Sequence, residues 1–78
     1  MEWDSFKLTA FMNHYAISVH TISKVTNIPI SVLYKLKSGT YYVENKYNEL
    51  LTAYLEAVKK GRVRELQEMI KYYENFDI

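Results

Sequence analysis

Seventy-eight residues with 49% apolar content describe one folded domain rather than a disordered chain, and a net charge of +1 excludes a strongly basic coat. With no cysteine there is no disulfide framework and no thiolate zinc site. No run approaches the roughly 18 apolar residues of a membrane span, and the start, MEWDSFK, lacks the layout of a signal peptide, so a cytoplasmic protein without membrane contact is expected.

The first helix is expected over residues 4–15. Asp4 or Ser5 can cap it, and Asp4 suits the positive end of the helix dipole. Leu8, Phe11, Met12 and Tyr15 fall at i, i+3, i+4 and i+7, a single core-facing stripe. Trp3 and Phe6 are expected to close over the end of that core.

The next stretch, ISVHTISKVTNIPISVLYKLKSG, breaks into two short helices around a tight turn. Ser18 stands where an N-cap belongs, and Ile22 and Val25 give the apolar face. Asn27 marks the turn because it tolerates left-handed backbone better than other non-glycine residues. Ile28 is a candidate for a buried turn residue. Pro29 can begin a helix, with its φ preset and no N–H to leave unpaired. Leu33 and Leu36 then point inward, and Gly39 ends the second helix. Two helices of about two turns, joined by three or four residues with a turn former, describe a helix-turn-helix.

Thr40, Tyr41, Tyr42 and Val43 read as an extended loop. Helix 4 is expected from Asn45 to Lys59, on the stripe of Tyr47, Leu50, Leu51, Tyr54, Leu55 and Val58. Lys59 and Lys60 suit its negative end and Gly61 its C-terminal cap. The five-residue step from Val58 to Val63 throws the stripe out of phase, which places a break at Gly61 and a fifth helix over 62–75. A single bent helix over 45–75 is the alternative. The chain therefore divides into a helix-turn-helix unit, 1–60, and a C-terminal helix, 61–78.

The charge distribution carries more than its sum. No acidic residue lies between Asp4 and Glu44, an interval that holds Lys7, Lys24, Lys35, Lys37, His14 and His20. One sign of charge centred on the helix-turn-helix is the footprint that a phosphate backbone requires. Ser31, Tyr34, Lys35 and Ser38 share the face of helix 3 opposite Leu33 and Leu36. Lys35 can donate to guanine or to phosphate, and the apolar side chain of Ile30 can meet a thymine methyl. Lys37 stands at the end of helix 3, free for phosphate or simply solvated.

At Ile17, Ser18, Ile22, Ser23, Asn27, Ile28, Leu33, Leu36 and Gly39 the stretch resembles the helix-turn-helix of the lambda-repressor-like family, which includes the Cro and CI phage repressors and the Xre regulators. The resemblance covers about residues 4–58. It implies an all-α, five-helix lambda-repressor-like domain that inserts helix 3 into the major groove of double-stranded DNA. It further implies a sequence-specific repressor or activator, of the kind carried by a phage, plasmid or other mobile element, with a Cro-like or plasmid-control repressor the nearer match for so short a chain. Ile30, Ser31, Tyr34, Lys35 and Ser38 match positions that face the groove; Thr40, Tyr41, Tyr42 and Lys46 fall where the family's next loop touches the backbone. From these the assigned DNA contacts are Ile30, Ser31, Tyr34, Lys35, Lys37, Ser38, Thr40, Tyr42 and Lys46. Three positions depart. Val19 replaces a glutamine that touches phosphate in many members, Asn27 replaces the turn glycine, and Ser23 replaces a small alanine. Lys37 and Met12 stand where many members hold a Glu–Arg pair.

The apolar stripe Val63, Leu66, Ile70 and Tyr73 of the fifth helix, flanked by Tyr72 and Phe76, has two readings. It builds a homodimer that sets two recognition helices about 34 Å apart, or it folds back to complete the monomer's own core, and the two need not exclude each other. The first is the expectation. A protein-interaction module or antitoxin on a helix-turn-helix fold is the competing class, supported by Val19 and the low net charge. Enzymatic readings lack parts: there is no nucleophile with a base, no carboxylate pair in a cleft and no glycine-rich phosphate loop. No cofactor, metal or small-molecule ligand is expected.

Overall fold

The computed structural model describes residues 2–39 and 43–76, with side chains given through Tyr72. Among them the helices are α1 (Ser5–Tyr15), α2 (Val19–Thr26), α3 (Ile30–Ser38), α4 (Asn45–Lys60) and α5 (Val63–Phe76). The expected loop residues Thr40, Tyr41 and Tyr42, and the side chains of Tyr73 and Phe76, lie outside the described residues.

Local chemistry sets the helix ends. The Asp4 carboxylate accepts from the Lys7 N–H at 2.8 Å, and Ser18 Oγ accepts from the Thr21 N–H at 3.2 Å. Each occupies a donor that the first turn cannot pair internally. Pro29 sits one residue ahead of the expected position, as the N-cap of α3. The α2, α3 and α4 helices end on left-handed Asn27, Gly39 and Gly61. At Gly61 the chain closes a Schellman pair, with Gly61 N–H on Val58 O at 3.2 Å and Arg62 N–H on Ala57 O at 2.8 Å. That pair separates α4 from α5, so the single bent helix does not form. α1 ends differently: Ala16 adopts φ 54°, ψ 48° with no glycine to ease it.

Leu8, Ile22, Ile28, Leu33, Leu36 and Leu51 are fully buried and come from α1 to α4 and the α2–α3 turn. Each contributes about 1.5–3 kcal/mol by leaving water. Phe11 is the aromatic hub, with edge-to-face contacts to Trp3, Tyr15 and Tyr54 at 5.6, 5.5 and 5.5 Å. Trp3 is buried because α4 supplies both its polar partners. Its backbone N–H donates to Asn48 Oδ1 at 2.9 Å, and its indole N–H to Thr52 Oγ1 at 3.0 Å. Phe6 does not join it. Phe6 is 81% exposed, two residues before the buried Leu8 and so on the opposite side of α1 from it, and only Trp3 closes the core at this end.

α3 packs on α1 and α2, while α5 packs on α4 and α2. Ile70 is buried, and Val63 and Leu66 are partly buried against the main cluster. Ile70 thus belongs to the monomer's own core, with Val63 and Leu66 packed at its edge. Among the described residues no helix is long and apolar enough to cross a membrane.

Candidate nucleic-acid interface

The α2–α3 turn has to hold two short helices at a fixed angle, and neither is long enough to be stable alone. Two side chains stitch it with three hydrogen bonds. Thr26 is 1% exposed; its hydroxyl donates to Ile22 O at 2.6 Å and accepts from the Ile28 N–H at 3.2 Å. Ser23 Oγ donates to Ile28 O at 2.7 Å. Both backbone groups of the fully buried Ile28 are therefore satisfied by hydroxyls of α2. Ser23 is more than a small residue in an alanine position: it fastens the turn.

At the other end of α3, Ser5 Oγ donates to the carbonyl of Lys37. This bond ties the first turn of α1 to the last turn of α3, next to Gly39, whose Cα faces Ser5 closely enough that a Cβ would meet it at 3.9 Å. It joins the same two helices that the absent Glu–Arg pair at Lys37 and Met12 would have joined.

So anchored, α3 turns Leu33 and Leu36 inward and exposes Ser31, Tyr34, Lys35 and Ser38 along one face. Tyr34 is 49% exposed, one of the few large apolar-bodied side chains left in solvent. Ser38 Oγ donates to Lys35 O at 2.7 Å. Lys37 is exposed beside this face, and Ile30 is half-buried at its start. Neither α2 nor α3 carries an acidic residue, while Lys24, Lys35 and Lys37 give them three cations.

The remaining assigned residues fall differently. Lys46 is exposed on α4 but is already engaged, 3.6 Å from Glu44 Oε2 and 5.0 Å over the Tyr47 ring. Thr40 and Tyr42 lie outside the described residues. Val19 is buried, so its position offers no group to a phosphate, whereas His20 and Thr21 are exposed in the same first turn of α2. Thr26, Ser5, Asn48 and Thr52, which position the helices, carry no periodic signal; only their hydrogen-bond partners in the fold reveal them.

A family model described as a helix-turn-helix domain matches residues 2–74. The chain belongs to that family, and the match includes α5 as well as the two helices of the motif. No curated protein and no solved structure matches it.

Proposed function

We propose that this helix-turn-helix protein is a cytoplasmic, sequence-specific double-stranded DNA-binding regulator that seats α3 in the major groove, as a Cro/Xre-like repressor of a mobile element does. The observation that carries the reading is the exposed α3 face of Ser31, Tyr34, Lys35 and Ser38, set on two helices without a single carboxylate. Tyr34, Ser31 and Lys35 are assigned to base edges. Ser38 and Lys37 flank them toward the phosphates, and Ile30 packs at the groove's edge. Lys46, Thr40 and Tyr42 are assigned to the backbone on the far side. Binding is as a homodimer, since one short recognition helix reaches too few base pairs for a tight site.

Selection of bound duplexes from a random pool tests the reading. A specific site preferred over random DNA by about 10³ or more is expected, enriched as an inverted repeat. Lys35→Glu should abolish that preference while leaving the thermal melt unchanged, because Lys35 is exposed. A folded Lys35→Glu protein that binds as the parent does overturns the assignment of α3.

A further inference from the structure

The connection from α3 to α4 has two described ends, and local chemistry leaves work undone at each. Gly39 closes α3 by donating its N–H to Leu36 O at 3.1 Å. The Lys37 carbonyl, one residue on, is among the last carbonyls that a helix cannot pair internally. At the far end Glu44 stands as the N-cap of α4 without a side-chain cap bond.

The start of the chain reaches both ends. Ser5 Oγ donates to the Lys37 carbonyl, and the Ser5 Cβ lies against Gly39. Trp3 N–H donates to Asn48 Oδ1 at 2.9 Å, and Asn48 Nδ2 donates in turn to Val43 O at 3.4 Å. One amide thus joins the chain's start to the residue just ahead of Glu44, and only one orientation of that amide serves both bonds. Asp4, between the two, caps α1 through the Lys7 N–H at 2.8 Å. Three consecutive residues therefore tie α4, α1 and α3 in turn. Their anchor is firm, because Trp3 is buried and its indole N–H holds Thr52 Oγ1 at 3.0 Å.

We infer that residues 3–5 form a clasp that fixes the end of α3 against the start of α4, with Ser5 and Asn48 as positioning residues for the protein's phosphate contacts. Lys37 is the residue whose own carbonyl Ser5 holds, and Lys46 lies two positions before Asn48. Ser31 and Tyr34 lie nearer the other end of α3, where Ser23 and Thr26 stitch the α2–α3 turn. The fold thus divides its anchors: the turn holds the residues assigned to bases, and the clasp holds the lysines assigned to phosphates. The phosphate part rests on the proposed DNA binding; the clasp itself does not.

Amide hydrogen exchange on the full chain without DNA tests the clasp. Ser5→Ala should speed exchange at Gly39, and Asn48→Ala at Tyr47, each by at least about threefold, the loss expected for one hydrogen bond. The Ile28 amide should keep the parental rate in both. Ser5→Thr keeps the hydroxyl and should return Gly39 to within about twofold of the parent. Parental rates at both Gly39 and Tyr47, or an equal rise at Ile28, overturn the clasp. Duplex titrations test what it positions. Ser5→Ala and Asn48→Ala should each weaken specific and random duplexes by the same factor, about three- to tenfold, and flatten the salt dependence. The preference between sequences should stay within about twofold of the parent. Thr52→Val is the structural control: it frees the indole but leaves both ends of the connection held, so it should lower the melting temperature and leave affinity unchanged. An affinity loss from Thr52→Val as large as that from Ser5→Ala, or a changed sequence preference in Ser5→Ala, overturns the positioning role. A parent that binds no duplex refutes the DNA reading, while the exchange rates still decide the clasp.

Discussion

Thr26→Val separates the turn's hydrogen bonding from its packing. Valine keeps nearly the same shape but removes the hydroxyl that bonds Ile22 O at 2.6 Å and the Ile28 N–H at 3.2 Å. The carbonyl has two lone pairs and tolerates the loss better than the N–H does. The N–H of a fully buried residue is left without its partner, at about 1–3 kcal/mol. Taking about 2 kcal/mol and a urea slope of about 1 kcal/mol/M for a small domain, the midpoint should fall by about 2 M. Thr26→Ser keeps the hydroxyl and loses one buried methyl, so it should cost only about 0.8 kcal/mol. A domain that begins at about 5 kcal/mol retains about 3 after Thr26→Val and is about 99% folded without denaturant. Duplex affinity can therefore be measured on folded protein, and any loss reports on the angle between α2 and α3. Paired urea melts decide the argument. Thr26→Val as stable as the parent, or less destabilising than Thr26→Ser, would refute it.

Two caps should respond with opposite signs in thermal melts. Ala16→Gly, at φ 54°, should raise stability by about 0.5 kcal/mol, whereas Gly61→Ala, at φ 68° with no atom within 4 Å of the new Cβ, should lose about 1 kcal/mol to backbone strain alone. Lys37→Ala should flatten the salt dependence of duplex binding by about one unit of slope. Lys46→Ala should flatten it by less in the same titration, since Glu44 already offsets that charge. Burial raises the pKa of the Tyr54 phenol above its usual value near 10. The unfolded chain then ionises first, so the tyrosine's stabilisation is intact below about pH 10 and is lost as pH rises through the raised value. Denaturant melts across that range should show Tyr54→Phe losing less stability than the parent.

The features that could be read ahead of the structure are those decided within a few residues. Asp4 and Ser18 cap because their oxygens reach an N–H three residues on, and Asn27, Gly39 and Gly61 end helices because their backbones accept positive φ. The exposed face of α3 follows from the inward pull of Leu33 and Leu36. What could not be read is what depends on distant partners. Trp3 and Phe6 are both aromatic and three residues apart; Trp3 is buried by Asn48 and Thr52, which no local pattern connects to it. Ala16 gives no cap signal, because alanine prefers right-handed helix. The stripe of Val63, Leu66 and Ile70 shows an apolar face but not its owner, and the fold assigns it to α2 and α4 of the same chain. Lys46 reads as a basic contact until Glu44, two residues before it, is seen to fold back on it.

The burial of Trp3 has an optical consequence. It is the protein's single tryptophan, and both its N–H groups are held by α4. Its emission therefore reports the seam between the chain's start and α4. Opening that seam admits water to the indole and shifts emission to the red. The same ring lines a groove between α1 and α4, beside Phe11 and Leu55. An unlabelled sample thus carries an intrinsic spectroscopic probe of that seam.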